Sequence, residues 1–168
     1  MRSRRFRGFM AASAALVLVA CGGAGGEAAE SEAAAFLAEN ARQDGVETLP
    51  SGVQYRVDRA GSPDGAQPDA NDLVRVHYEG RLLDDTVFDS SYQRGVPSAM
   101  PLDQLIPAWQ EAIPQMRVGD EWTLWVPPEQ GYGEAGSGPI PPNSVLIFRI
   151  ELLGVAPVPG GETDRATG

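Results

Sequence analysis

Residues 74–81 read Val-Arg-Val-His-Tyr-Glu-Gly-Arg. Val74, Val76 and Tyr78 fall on one face and Arg75, His77, Glu79 and Arg81 on the other, a period of two that a helix cannot satisfy. This segment is therefore a half-buried strand. Val53, Tyr55 and Val57 alternate in the same way and run into the turn Gly61-Ser62-Pro63-Asp64-Gly65. A turn at Asp84-Asp85 leads to Val87-Phe88-Asp89, and Trp122, Leu124 and Val126 alternate with Glu121, Thr123 and Trp125. Val145 to Leu153 form the last strand, with Leu146, Phe148, Ile150 and Leu152 on one face.

One helix interrupts this pattern. Leu105, Trp109, Ala112, Ile113 and Met116 recur at spacings of three and four, and Pro107 suits a helix start. Pro114 requires that helix to be two turns long or to bend at its end. Residues 127–143 are rich in Pro and Gly and read as a long loop of the kind that carries function. The sum is an α+β domain of about 110 residues, antiparallel strands around one short helix.

Charge and cysteine usage describe the ends of the chain. The 13 basic residues, all Arg, face 23 acids for a net charge of -10, which argues against a nucleic-acid partner. Arg2, Arg4, Arg5 and Arg7 precede an apolar run from Phe9 to Ala20, shorter than the ~20 residues of a membrane span. This is an export signal over residues 1–20. Leu18-Val19-Ala20-Cys21 resembles the lipobox of bacterial lipoproteins, which implies lipidation at Cys21, the only cysteine. Gly22 after the cysteine implies an outer-membrane location facing the periplasm. Without the leader, 9 Arg against 23 acids leave -14. Residues 21–48 read as the lipidated Cys, a flexible Gly/Ala/Glu tether over 22–35 and a short helical arm from Ala33 to Asp44. The arm's only large apolar side chains are Phe36 and Leu37. Residues 49–154 are the folded domain and 155–168 a disordered tail.

Several chemistries are excluded. His77 is the single histidine and lies on a polar strand face, so a His/Cys zinc site or a Cys-His nucleophile is not available. No G-x-S-x-G elbow accompanies it. Gly131-Tyr132-Gly133-Glu134-Ala135-Gly136 matches G-x-G-x-x-G, but Ser137-Gly138-Pro139-Ile140-Pro141-Pro142 cannot continue as the helix that motif needs. The Asp84-Asp85 pair reads as a solvated turn. No metal and no cofactor is expected. What remains is an aromatic set at segment ends, Tyr78, Phe88, Trp109, Tyr132 and Phe148, suited either to a core or to lining a concave apolar pocket.

The residues around these aromatics resemble a known family. Val76-His77-Tyr78-Glu79-Gly80, Val87-Phe88-Asp89-Ser90-Ser91, Leu105-Ile106-Pro107-Ala108-Trp109, Gln130-Gly131-Tyr132-Gly133 and Ile140-Pro141-Pro142-Asn143-Ser144 occur in that order in FKBP-type peptidyl-prolyl isomerases. Leu49-Pro50-Ser51-Gly52-Val53-Gln54-Tyr55 is similar to the opening of the exported bacterial branch that includes the macrophage infectivity potentiator proteins. The resemblance implies an antiparallel half-barrel wrapped around one short helix. It also implies a pocket of Tyr78, Phe88, Asp89, Met100, Leu105, Ile106, Trp109, Tyr132, Ile140 and Phe148. Trp109 would be its floor, the Ile106 N–H and the Tyr132 hydroxyl would bond the peptide, and Asp89 would order the rim. Tyr78, Phe88 and Phe148 join these as catalytic, with Met100, Leu105 and Ile140 as substrate-binding.

The implied activity is rotation of Xaa-Pro bonds in unfolded or folding polypeptides, with macrolides such as FK506 as candidate inhibitors. Met100 stands where the family commonly has Phe, Ala108 where it has Gly, and Ser137-Gly138-Pro139 replaces a bulkier rim. These departures bear on substrate preference and macrolide affinity. The alternative is a membrane-tethered chaperone or binding module with little catalysis. A small-molecule-binding lipoprotein is a third reading.

Overall fold

A computed structural model describes residues 24–158. The export signal, Cys21 and the tail beyond 158 lie outside the described residues. The five expected segments are strands, and two short strands join them, giving β1 (Glu47–Thr48), β2 (Gln54–Arg59), β3 (Leu73–Arg81), β4 (Val87–Ser90), β5 (Ser98–Pro101), β6 (Glu121–Val126) and β7 (Leu146–Ala156), of which β1 and β5 were not expected. They form one antiparallel sheet in the order β1-β2-β6-β7-β3-β4. β5 pairs with Leu73 to Val76 of β3 while β4 pairs with Glu79 to Arg81, so the two short strands share one edge of β3.

The helices are α1 (Ala24–Asn40), α2 (Ser91–Arg94) and α3 (Pro107–Ala112). α3 begins with Pro107 at its first position, after Ile106 in an extended conformation, φ −61° and ψ 150°. Its continuation, Ile113–Gln115, tightens into a 3-10 turn that carries Pro114. That turn is the bend the proline demands, because Pro has no N–H to extend an α-helix. Ala108, Trp109, Ala112, Ile113 and Met116 are buried against the inner face of the sheet, where Val74, Val76, Leu124, Val126, Leu146, Phe148, Ile150 and Leu152 meet them.

On the outer face, β6 departs from simple alternation: Glu121, Thr123 and Trp125 are buried as well. Neighbouring side chains cover them. The Arg56 guanidinium lies 5.6 Å from the Trp125 ring, and Arg59 and Arg149 pair with Glu121 at 3.4 and 2.7 Å.

Two boundaries differ from the sequence reading. Residues from Ala24 on are helical rather than a flexible tether, so α1 begins well before the expected arm at Ala33. Ala and Glu are strong helix formers, and they outweigh Gly25 and Gly26 in the first turn. The C-terminal part of α1 is also tied to the domain: Asn40 Nδ2 donates to Gln54 Oε1 at 2.8 Å, Gln54 Nε2 donates to the Leu37 carbonyl at 2.8 Å, and Ala33 is buried. At the other end the domain does not stop at Gly154. β7 runs to Ala156, pairing Val155 with Val74, and the Asp72 carboxylate accepts the Val158 N–H at 3.0 Å. The tail expected to be disordered from 155 is thus ordered through 158.

Candidate active site

A cleft of about 480 Å³ opens between the inner face of the sheet, α3 and the loop after β6. All ten residues singled out in the sequence line it: Tyr78, Phe88, Asp89, Met100, Leu105, Ile106, Trp109, Tyr132, Ile140 and Phe148. The strand period delivers Tyr78 and Phe148 to the inner face from β3 and β7. β4 brings Phe88 and Asp89, β5 brings Met100, and the start of α3 brings Ile106 and Trp109.

The rings are mutually perpendicular. Trp109 meets Tyr78 edge to face with centroids 5.2 Å apart, and it meets Phe148 in the same way at 5.2 Å; Phe148 meets Phe88 at 5.7 Å. Such arrangements place the positive ring edge on a neighbour's negative face and add to what burial contributes. Gly80 permits the crowding. A Cβ there would lie 2.6 Å from the Phe88 ring and 2.8 Å from Phe148. Trp109 is only 4% exposed, and its indole nitrogen has no hydrogen-bond partner among the described residues.

The rim is polar. The Tyr78 hydroxyl donates to Asp89 Oδ2, and Arg94 donates to Asp89 Oδ1, to the Tyr78 hydroxyl at 3.1 Å and to Ser98 Oγ at 3.2 Å. The Arg94 guanidinium also lies 5.5 Å from the Tyr78 ring centroid. Burial alone would raise the Asp89 carboxyl; the hydrogen bonds from Tyr78 and Arg94 together outweigh it and hold Asp89 below the ordinary carboxylate value. Burial, then the bond to Asp89, pushes the Tyr78 hydroxyl above its ordinary value.

Arg94 was not legible as a site residue. It follows Asp89 by five residues across the short α2, and no periodicity marks that spacing. Ser137, Gly138 and Pro139 line the cleft as the expected rim, and Gln104 joins beyond the expected set.

Two backbone features shape the opening. Ile106 N–H has no acceptor among the described residues, while its carbonyl accepts from Trp109 and Gln110 at 2.9 and 3.2 Å. The loop from Tyr132 to Ile140 closes on itself: Ser137 N–H donates to the Ile140 carbonyl at 3.0 Å, and Ile140 N–H returns to Ser137 at 2.8 Å. Gly136 makes this possible at φ +64°, since a Cβ there would lie 2.4 Å from the Ile140 carbonyl. The G-x-G-x-x-G run therefore holds a single 3-10 turn, Gly133–Ala135, and leads into no α-helix.

His77 stays outside the cleft. It stacks on Tyr92 at 4.6 Å, and its Nδ1 sits 2.9 Å from Ser91 Oγ. Ser91 Oγ in turn accepts the Tyr78 N–H at 2.8 Å, so the histidine supports the strand behind the site. Among the described residues no cluster of His, Cys, Asp and Glu is placed to hold a metal ion.

The chain is similar to known proteins over most of its described length. FkpA of Aeromonas hydrophila, an FKBP-type peptidyl-prolyl cis-trans isomerase, is 46% identical over 131 residues, 78% of this chain and 48% of that protein. Peptidyl-prolyl cis-trans isomerase Mip of Coxiella burnetii is 50% identical over 122 residues, 72% of this chain and 52% of that protein. The chain thus spans about half the length of these relatives. The crystal structure of FkpA from Escherichia coli superposes with a TM-score of 0.76 at 40% identity, covering 80% of this chain and 62% of that one. Residues 19–57, which include α1, match the domain amino terminal to FKBP-type peptidyl-prolyl isomerase. Residues 65–153, carrying every side chain of the cleft, match the FKBP-type peptidyl-prolyl cis-trans isomerase family, and the chain belongs to that family.

Proposed function

We propose that this chain is a peptidyl-prolyl cis-trans isomerase acting on Xaa-Pro bonds of unfolded or folding exported polypeptides. The cleft carries the proposal. Perpendicular aromatic rings enclose an apolar space with hydrogen-bond donors at its mouth, and no histidine, cysteine or lysine lines it. That inventory fits a reaction that breaks no bond. Rotation about an amide is slow because resonance holds it planar, with a barrier of ~18–20 kcal/mol. Uncatalysed prolyl exchange takes roughly tens to hundreds of seconds.

The proline ring lies on Trp109, between Tyr78, Phe88 and Phe148. The Ile106 N–H and the Tyr132 hydroxyl hold the peptide backbone, while Asp89, bonded by Arg94, fixes Tyr78. Met100, Leu105 and Ile140 supply apolar wall. A planar amide is more dipolar than a twisted one, so removing water from it favours the twisted form. Each ~1.4 kcal/mol of preference for that form speeds exchange tenfold. A macrolide such as FK506 enters the same cleft, against the pliable Met100 wall and the Ser137-Gly138-Pro139 rim.

A proline-limited refolding reaction tests the activity: micromolar chain shortens the slow phase, and an unchanged slow phase sinks the proposal. Running Asp89→Ala and Tyr132→Phe in that assay and in aggregation suppression separates catalysis from client holding. Exported location with a lipid anchor on Cys21 rests on the leader pattern. Mass spectrometry of the membrane fraction checks it, and an unmodified Cys21 in the mature chain would refute it.

A further inference from the structure

The described residues hold two methionines that differ in access. Met116 lies in the core at 0% exposure. Met100 is half-buried on β5, packed against the core on one side and forming cleft wall on the other. β5 pairs with β3 alone, so nothing in the sheet covers its far side. The chain's one cysteine is Cys21, which makes Met100 the softest accessible nucleophile among the described residues. We infer that Met100 is an oxidation site through which peroxides weaken substrate binding in the cleft, an inference that rests on the proline-binding reading above.

The step balances with hydrogen peroxide as oxidant. A lone pair on Met100 Sδ attacks one peroxide oxygen, the O–O bond breaks, and the second oxygen leaves as water after taking the proton of the first. Sulfur loses two electrons and the peroxide gains them. The product sulfoxide is polar, chiral and a strong hydrogen-bond acceptor in place of an apolar, flexible thioether. Leu105, Ile106 and Phe88 of the same lining offer it no side-chain donor and the Tyr78 hydroxyl is already bonded to Asp89, which leaves Gln104, Tyr132 and Ser137 as the lining's other hydroxyl and amide donors. A proline ring pressed against the sulfoxide would strip it of water without replacing the bond, so binding weakens. The family's common Phe at this position has no equivalent reaction, which makes the response particular to chains with Met here.

The test uses the full chain, hydrogen peroxide at graded doses, and peptide mapping by mass spectrometry. Met100 sulfoxide should form about tenfold or more faster than Met116 sulfoxide. Acceleration of refolding should drop about fivefold or more as Met100 converts. A methionine sulfoxide reductase pair should restore it. Met100→Leu, measured against its own untreated rate, should hold that rate through the same doses.

Equal oxidation of the two methionines overturns the inference. So does complete conversion of Met100 with unchanged activity, or an equal loss in Met100→Leu. An untreated chain that accelerates nothing sinks the isomerase reading alone. The oxidation site is then decided by the mapping and by titrating a proline peptide against Trp109 fluorescence before and after treatment.

Discussion

The indole of Trp109 meets the ring of Phe148 edge to face, with centroids 5.2 Å apart and planes at 84°. One residue belongs to α3 and the other to β7, so this contact joins the helix to the sheet at the bottom of the cleft. Trp109→Ala should cost about 3–5 kcal/mol of stability, read by urea unfolding, because it empties a buried volume bounded by Tyr78 and Phe148. Trp109→Phe should keep the fold and lower the isomerase rate about tenfold, since a smaller ring leaves the proline without a full floor. Full activity in the Phe variant would remove Trp109 from the mechanism.

Asp89 sets the acid limit. Its carboxyl titrates below the ordinary value in the folded chain, so the stability it contributes is present above the unfolded value of about 3.9 and disappears as pH falls through the folded one. Tyr78 sets the alkaline limit in the opposite sense. Its raised value keeps the hydroxyl neutral past about 10, and its contribution is lost as pH rises through the folded value. Exchange should therefore be flat between about pH 5 and pH 9. Carbon-detected NMR titration of Asp89 supplies the direct check.

Arg94 bonds Asp89, Tyr78 and Ser98, so on the proposed reading it is a positioning residue. Arg94→Ala should move the Asp89 titration up toward its ordinary value and shift the acid limb of the pH–rate profile with it. Stability should change by less than about 1 kcal/mol, because the Arg94–Asp89 pair is largely solvent-exposed. Arg94→Lys should rescue little, since an ammonium cannot bridge Asp89, Tyr78 and Ser98 as the planar fork does. An unmoved Asp89 titration in the Ala variant would refute the positioning role.

Gly80 holds space for two aromatic walls. Gly80→Ala places a methyl inside contact distance of Phe88 and Phe148, so the rings must part. The expected outcome is a loss of about 1–3 kcal/mol in unfolding free energy, with weakened proline-peptide binding by fluorescence titration. Unchanged binding would show that the two rings move without consequence for the site.

Tyr132 separates chemistry from stability. It is 39% exposed, and its hydroxyl has no partner among the described residues. Tyr132→Phe should therefore alter unfolding by less than about 0.5 kcal/mol while lowering kcat/KM several-fold. Equal catalysis would mean that the hydroxyl does not hold the peptide.

β3 and β7 were legible because they obey the period of two on the face that the core selects: Val74, Val76 and Tyr78 are buried, as are Leu146, Phe148, Ile150 and Leu152, whereas around β2 Val53 is buried but Val57 is exposed, and the short β1 and β5 carry no such signal. α3 was legible from Leu105 to Met116 by its three-four spacing, and Pro114 correctly limited its length. α1 was obscured by glycine, because local composition does not reveal that Ala33, Leu37 and Asn40 lean on the domain. The cleft's side chains were found through ordered motifs. Arg94 was missed because its bonds to Asp89 and Tyr78 depend on how α2 turns the chain, which no spacing rule encodes. The buried outer face of β6 escaped for a related reason: Arg56, Arg59 and Arg149 cover it from other strands.

Five cleft residues, Met100, Gln104, Leu105, Ile106 and Trp109, come from the single stretch 100–109 that leaves the β3 edge through β5 and returns as α3. The central strands β6 and β7 are not interrupted by it. The stretch therefore behaves as an exchangeable cassette. A relative's equivalent residues could be grafted between Ser98 and Ala112 to give a chimera with a new substrate preference, while every strand of the sheet except β5 keeps its own sequence. Because Leu102, Ala108 and Trp109 of the same run belong to the core, selection that retunes the cleft along these codons also acts on what keeps the domain folded.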